Sequence, residues 1–452
     1  LGACPIERTY AVESLSQYWP KGEDLIHQLP SPHLLPHCRA KNPPALARIR
    51  LPAWAHDIGI EGNLLIPAQL IRISDDPIPN WHGVDWLGAI FWYLAGSAER
   101  EFEKEKGPIH SYANRLKGWS PELWQYAWVN RIALFLRRWA ARRIGRDENA
   151  LFGSLPEAKI FLTHDLDATN KTPILRAKQT CFRLINSMGI FLKGHFGAGL
   201  NRLKDAIRFF VSTGDYWCFD LISELEKQMG CCSYYFVYAG LEHPRKLSHR
   251  IFDPSYDISQ SKLKKKLREL LASGNCIGLH PSFEAWADPE IIRKQRERLE
   301  FTIDHSVSTC RQHWLRFGWE HTWKAQEQAG LSLDFTLGFN DRCGFRNGAA
   351  IVFHPWHPEF KGPHRLEAIP LVLMDSHLCS SELICSSDRV YIVNKLLNEV
   401  KSVGGTCSIL WHPHVFSNDF GWRNSYCHAL NQITSRGKAE SDLIGHNSIK
   451  TN

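Results

Sequence analysis

The chain lacks any C-x-x-C pair, any internal repeat and any apolar run near the roughly 18 residues that a bilayer-spanning helix needs. The nearest run, Trp86 to Gly96, is short and is followed by the charges of Glu99 to Lys106, so no membrane span is expected. The 13 cysteines are odd in number and scattered, with Cys231 and Cys232 adjacent. A disulfide framework or a thiolate zinc site is therefore not expected, and a reducing, cytoplasmic location fits best. A strong charge of one sign is also missing: 54 Lys and Arg against 47 Asp and Glu leave +7, too thinly spread to imply nucleic acid. The densest basic run, Lys262 to Arg268, carries Leu263, Leu267, Leu270 and Leu271 at helical spacing and reads as the solvated side of an amphipathic helix. The start, Leu1-Gly2-Ala3-Cys4, has neither a methionine nor a charged-then-apolar leader and reads as truncated or processed.

What the chain does have is core-forming material. A hydrophobic fraction of 44 %, with 17 Trp and 23 Phe in 452 residues, rules out global disorder and coiled coil and suits two domains. Residues 1–156 begin Pro-rich and settle into aromatic helical segments around Val84 to Phe102 and Pro121 to Arg143, a small mixed or helical accessory domain. Residues 157–435 alternate short apolar runs with amphipathic helices, and residues 436–452 form a polar tail. The strands expected are Lys159 to Asp165, Ser233 to Tyr238, Cys276 to His280, one near Cys310, Leu331 to Thr336, Leu366 to Leu373 and Ser408 to His412. The helices between them include Thr172 to Met188, Gln260 to Ala272, Asp288 to Ile303 with Asp288 as N-cap, Trp319 to Ala329 and Ser387 to Val403. This alternation predicts an α/β fold, a parallel sheet wrapped by helices and either open or closed into a barrel, with reactive residues at the carboxyl ends of strands.

Three of these strands end in ionisable groups: Thr163-His164-Asp165-Leu166-Asp167, Leu279-His280 and Leu410-Trp411-His412. Carboxylate and imidazole are ligands that a hydrolytic Zn²⁺ prefers, and a second carboxylate beside the metal's water is a natural general base. Taken singly, an Asp after a strand is commonly a cap and a strand-end His commonly packs in a core. Their conjunction at successive strand ends is what points to a site.

From Lys159 to Tyr426 the sequence resembles the NodB-type polysaccharide deacetylases of carbohydrate esterase family 4. The resemblance implies a distorted (β/α) barrel, with Asp165 as general base, Asp167 and His280 as ligands of a divalent metal ion such as zinc, Arg311 as the residue that holds the base, and His412 as general acid. Asp334, at the end of its strand, is the candidate to orient His412. Two departures stand out. Where the family has a second metal-binding His four residues after the first, this chain has Glu284, which either substitutes as a ligand or faces solvent at a helix start. Where the third motif usually has Pro two residues after its Arg, this chain has His313. The wordings His280-Pro281-Ser282-Phe283, Arg311-Gln312-His313-Trp314-Leu315, Leu337-Gly338-Phe339 and Gly344-Phe345-Arg346, with Val84 to Phe91 in the accessory domain, are similar to a bacterial subgroup that carries an extra N-terminal domain.

The function the resemblance implies is metal-dependent removal of an N-acetyl group from an amino sugar of a bacterial surface polysaccharide or its precursor. The alternatives are a sugar O-acetyl esterase, or a non-catalytic carbohydrate-binding protein on the same fold, motivated by the missing second His and the abundance of aromatics of the exposed type. A carbohydrate is the expected partner in every case. His414, in His412-Pro413-His414, reads as a rim residue, and His354, His357 and His364 as a loop beside the cleft. Asp215-Tyr216-Trp217 supplies aromatics for stacking on a sugar or for core packing.

Overall fold

In the computed structural model, described for residues 3–32, 34, 42–56, 63–72, 80–240, 251–380 and 384–435, the alternating segments form one parallel sheet. Before it comes a helical unit with an antiparallel pair of strands, β1 (Leu46–Arg50) and β2 (Asn63–Pro67). The sheet runs through β3 (Lys159–Leu166), β4 (Ser233–Tyr238), β5 (Cys276–His280), β6 (Thr309–Cys310) and β7 (Leu333–Asp334). A small side ladder, β8 (Trp356–His357) with β9 (Gly362–Pro363), precedes β10 (Glu367–Ala368), β11 (Leu371–Met374) and β12 (Thr406–Leu410).

The order β10-β7-β6-β5-β4-β3-β12-β11 has β10 at one edge and β11 at the other, yet only Ile369 and Pro370 separate them in sequence. Ile369 N donates to Asp334 O at 2.9 Å, Leu371 N to Leu337 O at 2.8 Å, and Ser408 N to Pro370 O at 2.8 Å. One interrupted segment therefore bonds both neighbours and closes the sheet into a seven-membered parallel barrel, the α/β barrel architecture expected. Pro370 lacks the N–H a continuous ladder needs, which is why the expected single strand from Leu366 to Leu373 is split. The interior below the rim is plugged by buried Phe236, Phe335 and Ile369, with Phe161 against them.

The helix expected from Thr172 runs further than Met188, over Pro173–Leu192, capped by Thr172 Oγ1 accepting from Leu175 N at 3.2 Å, and a second helix, Phe196–Val211, folds back on it. Asp288 caps the Pro289–Ile303 helix as expected, accepting from Glu290 N and Ile291 N. Leu263, Leu267 and Leu270 are buried under the basic run. The strand expected over Leu331 to Thr336 is only two residues long. Residues 436–452 lie outside the described residues.

The helical unit before β3 shares a continuous apolar core with the barrel. Buried charges fasten it. Arg131 Nη2 meets Glu399 Oε2 at 2.7 Å, and Arg346 Nη2 meets Glu99 Oε2 at 2.8 Å. Arg346 also donates to Ser111 Oγ and Gly338 O. Gly344, where φ is +129°, permits this close packing, since a Cβ there would run into Trp124 O; Gly338 does the same within the barrel, where a Cβ would lie 2.8 Å from Leu371 O. The Gly344-Phe345-Arg346 motif of the sequence thus clamps the N-terminal unit onto the barrel.

Candidate metal and catalytic centre

Thr163 to Asp167 leave the barrel at its carboxyl end, where the chain turns so sharply that Asp167 N donates to Asp165 O at 3.1 Å. Both carboxylates consequently face the mouth. They line a cleft of about 300 Å³ together with His280, His313, Trp314, Asn340 and His412, and the N-terminal unit contributes Tyr112 to the same wall.

Three ligand-type atoms converge there. His280 Nε2 lies 3.5 Å from Asp167 Oδ1, and His313 Nδ1 lies 3.6 Å from the same oxygen and 2.8 Å from His280 Nε2. The opposite ring nitrogens are committed to backbone carbonyls: His280 Nδ1 to Arg311 O at 2.7 Å and His313 Nε2 to Phe252 O at 2.7 Å. A carbonyl only accepts, so each of those nitrogens carries the hydrogen, and in the neutral rings His280 Nε2 and His313 Nδ1 present lone pairs to each other. Asp167 Oδ1 adds a third, buried and without a hydrogen-bond partner. Three acceptors facing one point need a cation between them, either a proton or a metal ion. Asp167, His280 and His313 meet the distance requirements of a shared ion, and one carboxylate with two imidazoles suits Zn²⁺.

The titration pattern has the same origin. Burial works against the His280 imidazolium, but Asp165 and Asp167 outweigh it and raise its pKa, whereas burial dominates at His313 and lowers it to about 4. Burial likewise opposes ionised Asp167, and the surrounding His412, His280 and His313 overturn it, holding the carboxyl well below its ordinary range.

His313 is the residue that the sequence reading left without a role. It follows the short β6 strand, and its ring is set by a turn in which Trp314 (φ +56°) and Leu315 (φ +45°) both adopt the left-handed conformation unusual for such side chains. Glu284 is not part of the cluster: it is half-exposed and lies 3.7 Å from Arg316 Nη1. The solvent-facing alternative for Glu284 is the one observed.

Beside the cluster, Arg311 is fully buried and crosses the barrel interior. Its Nη1 donates to Asp165 Oδ1 at 3.1 Å and to Thr163 Oγ1 at 2.7 Å, and its Nε to Phe335 O at 3.0 Å. The other oxygen, Asp165 Oδ2, lies 3.9 Å from His280 Nε2. His412 completes the rim, with Nε2 3.5 Å from Asp167 Oδ2.

Asp334 does not orient His412, a correction to the expectation. It accepts hydrogen bonds from Trp323 Nε1 at 3.0 Å, Gln326 Nε2 at 2.8 Å and Thr336 Oγ1, so its carboxylate is consumed within the barrel wall. The partner of His412 is Asp375, 1 % exposed, which accepts from His412 N at 2.7 Å and lies 2.9 Å from its Nδ1. Asp375 directly follows β11, so the rule that singled out Asp165 and His280 also reaches it. Burial alone would lower the His412 pKa, but Asp375 and Asp167 outweigh it and push it up to about 10. His414 is buried and lowered to about 4, first by burial and then by the His412 charge, and stands outside the ligand cluster.

The remaining aromatic and histidine candidates fall elsewhere. Tyr216 is buried and donates to Asp419 Oδ2 at 3.0 Å, a packing role. His364 Nδ1 contacts Glu327 Oε2 at 3.0 Å, and His357 packs against His364, so neither lines the cleft. Nor does His354, whose backbone carbonyl accepts from Tyr10 Oη.

Neither a family model nor a curated protein matches the chain. Among solved structures it is similar to a putative polysaccharide deacetylase from Mycobacterium smegmatis, at 14 % identity and a TM-score of 0.38, over 63 % of this chain and 87 % of that one. It is also similar to the CE4 domain of a multidomain xylanase from the hindgut metagenome of Trinervitermes trinervoides, at 12 % identity and a TM-score of 0.27, over 61 % of this chain and 81 % of that one. A third likeness, at 10 % identity and a TM-score of 0.28 over 62 % of each chain, is to a mutant CE4-family pseudoenzyme with restored enzymatic activity.

Proposed function

We propose that the chain is a metal-dependent hydrolase that removes an N-acetyl group from an amino sugar of a bacterial surface polysaccharide or its precursor. The observation that carries this reading is the meeting, at one barrel rim, of a three-acceptor cluster, a carboxylate fixed by a buried arginine and an imidazole paired with a buried carboxylate. Asp167, His280 and His313 would hold the ion, and zinc suits them. A divalent ion there would supply Lewis acidity toward the acetyl carbonyl and acidify a water.

The protein's own groups do the proton work. Arg311 holds and aims Asp165, so that Asp165 takes the proton of the attacking water. His412, held protonated by Asp375, gives its proton to the amine nitrogen as the carbon–nitrogen bond breaks and acetate departs. Tyr112, Trp314 and Asn340 offer stacking and hydrogen-bonding surface for a sugar ring. Of the two grounds for the rival reading as a binding protein, the absent second histidine is answered by His313, which supplies an imidazole at that cluster.

Acetate release from N-acetylglucosamine oligomers by the zinc-loaded chain tests the proposal. Asp165→Asn should abolish turnover while titrated zinc stays bound, because an amide keeps the shape but cannot take the proton. Faster release from O-acetylated sugars would make the protein an esterase. Zinc binding without release from either substrate would leave a binder.

A further inference from the structure

Directly after the Asp165 to Asp167 turn the chain makes a helical hairpin, Pro173–Leu192 and Phe196–Val211, roughly 30 and 24 Å long at 1.5 Å per residue. Its outward side is unusually apolar for a water-exposed element. Facing inward with Ala206 and Phe209 are Ser187, whose Oγ donates to Gly199 O at 2.8 Å, and Arg183, stacked on Phe209 and Phe420. Facing outward are apolar stripes at helical spacing, Ile185, Met188 and Leu192 on the first helix and Phe196, Leu200 and Ile207 on the second, each between 51 and 87 % exposed. Eleven of the twenty large apolar side chains exposed among the described residues lie on this hairpin. A patch of that kind marks an interaction surface.

Charge selects the occupant. Residues 173–211 carry seven Lys or Arg and a single acid, Asp205, although the whole chain is nearly balanced. Lys193, Lys204 and Arg208 are exposed beside the apolar stripes. A second copy of the same face would bring like charges together, whereas an anionic lipid surface takes both the cations and the apolar side chains. Neither helix is long and apolar enough to cross a membrane. We propose that this hairpin docks the protein on an anionic lipid surface, its apolar stripes seated at the headgroup boundary and its cations on the lipid phosphates. The base of the hairpin adjoins the site, since Ile174, Leu175 and Lys178 share a cleft with Asp167, His313 and Trp314. Docking would therefore hold the catalytic mouth close to the bilayer.

Co-sedimentation of the full chain with vesicles of phosphatidylcholine, alone or mixed with phosphatidylglycerol, tests this. The chain should pellet with the anionic vesicles at least roughly tenfold more tightly than with the neutral ones, and less so at high salt. The Ile185→Asp/Met188→Asp double variant, altered only at exposed positions, should lose at least about tenfold in vesicle affinity while zinc affinity and the circular dichroism spectrum stay unchanged. Leu192→Ser/Phe196→Ser at the hairpin tip provides a second variant with the same expected loss. Failure to pellet with anionic vesicles overturns the proposal, as does undiminished pelleting of both variants. So does a concentration-dependent dimer, seen by sedimentation velocity and broken by these substitutions, in a chain that ignores lipid.

Discussion

His313 and Asp375 decide how the site is read. If His313 is a ligand, His313→Ala leaves only Asp167 and His280, and zinc affinity should fall by at least about a hundredfold in a competition titration with a chromophoric chelator. Glu284→Ala, removing a half-exposed carboxylate near Arg316, should leave affinity unchanged. Equal losses in the two variants would return Glu284 to the ligand set. At Asp375 the readout is pH. In the proposed mechanism His412 is the acid and must be protonated, and the Asp375 charge favours that form. Asp375→Asn removes the charge but keeps the size, so the alkaline limb of kcat/KM should move to lower pH and kcat should drop by roughly a hundredfold. Asp334→Asn, buried in the barrel wall away from His412, should leave that limb where it is.

At the scale of elements, the N-terminal unit is held to the barrel by charges with no route to water. Arg346 is fully buried and its ion pair with Glu99 joins the loop after β7 to the helix Ser97–Lys106. Glu99→Ala would strand that guanidinium and should cost about 3–5 kcal/mol in urea unfolding, with an unchanged m-value if the two parts still unfold together. The sequence announced the motif that contains Arg346 but not its purpose, because a buried pair between residues 247 apart leaves no local pattern. Strand ends were more legible. Asp165, Asp167, His280 and His412 follow apolar runs, and such runs are visible in one dimension. β6 and β7 are two residues each, too short for periodicity to signal, so His313 just beyond β6 passed as a motif irregularity. The barrel's closure depends on one segment bonding strands on both sides across Pro370, a tertiary fact with no sequence period. The outward apolar stripes of the hairpin carry the same helical spacing as a core-facing helix, and only the folded chain shows which way they point.

The candidate metal cluster draws its groups from the ends of β3, β5 and β6, spanning residues 167 to 313, so binding of an ion there would be coupled to the integrity of half the barrel. An unfolded chain does not assemble these three groups, and binding free energy therefore adds to folding free energy. Zinc at about a hundred times its dissociation constant should stabilise the protein by about 2.7 kcal/mol, read as a rise in Tm. That rise must depend on pH. The metal-free fold raises the pKa of His280, so the proton on its Nε2 stabilises the apo-protein at low pH and is released as pH climbs through the raised value. The ion needs the same lone pair. Below that pKa it must displace the proton, and the zinc-dependent increment shrinks; above it, the increment is complete. Differential scanning calorimetry with and without zinc across the acid and neutral range should show the two Tm values converging as pH falls. His313→Ala should bring them together at every pH. An increment that stayed constant down to acid pH would place the ion away from His280.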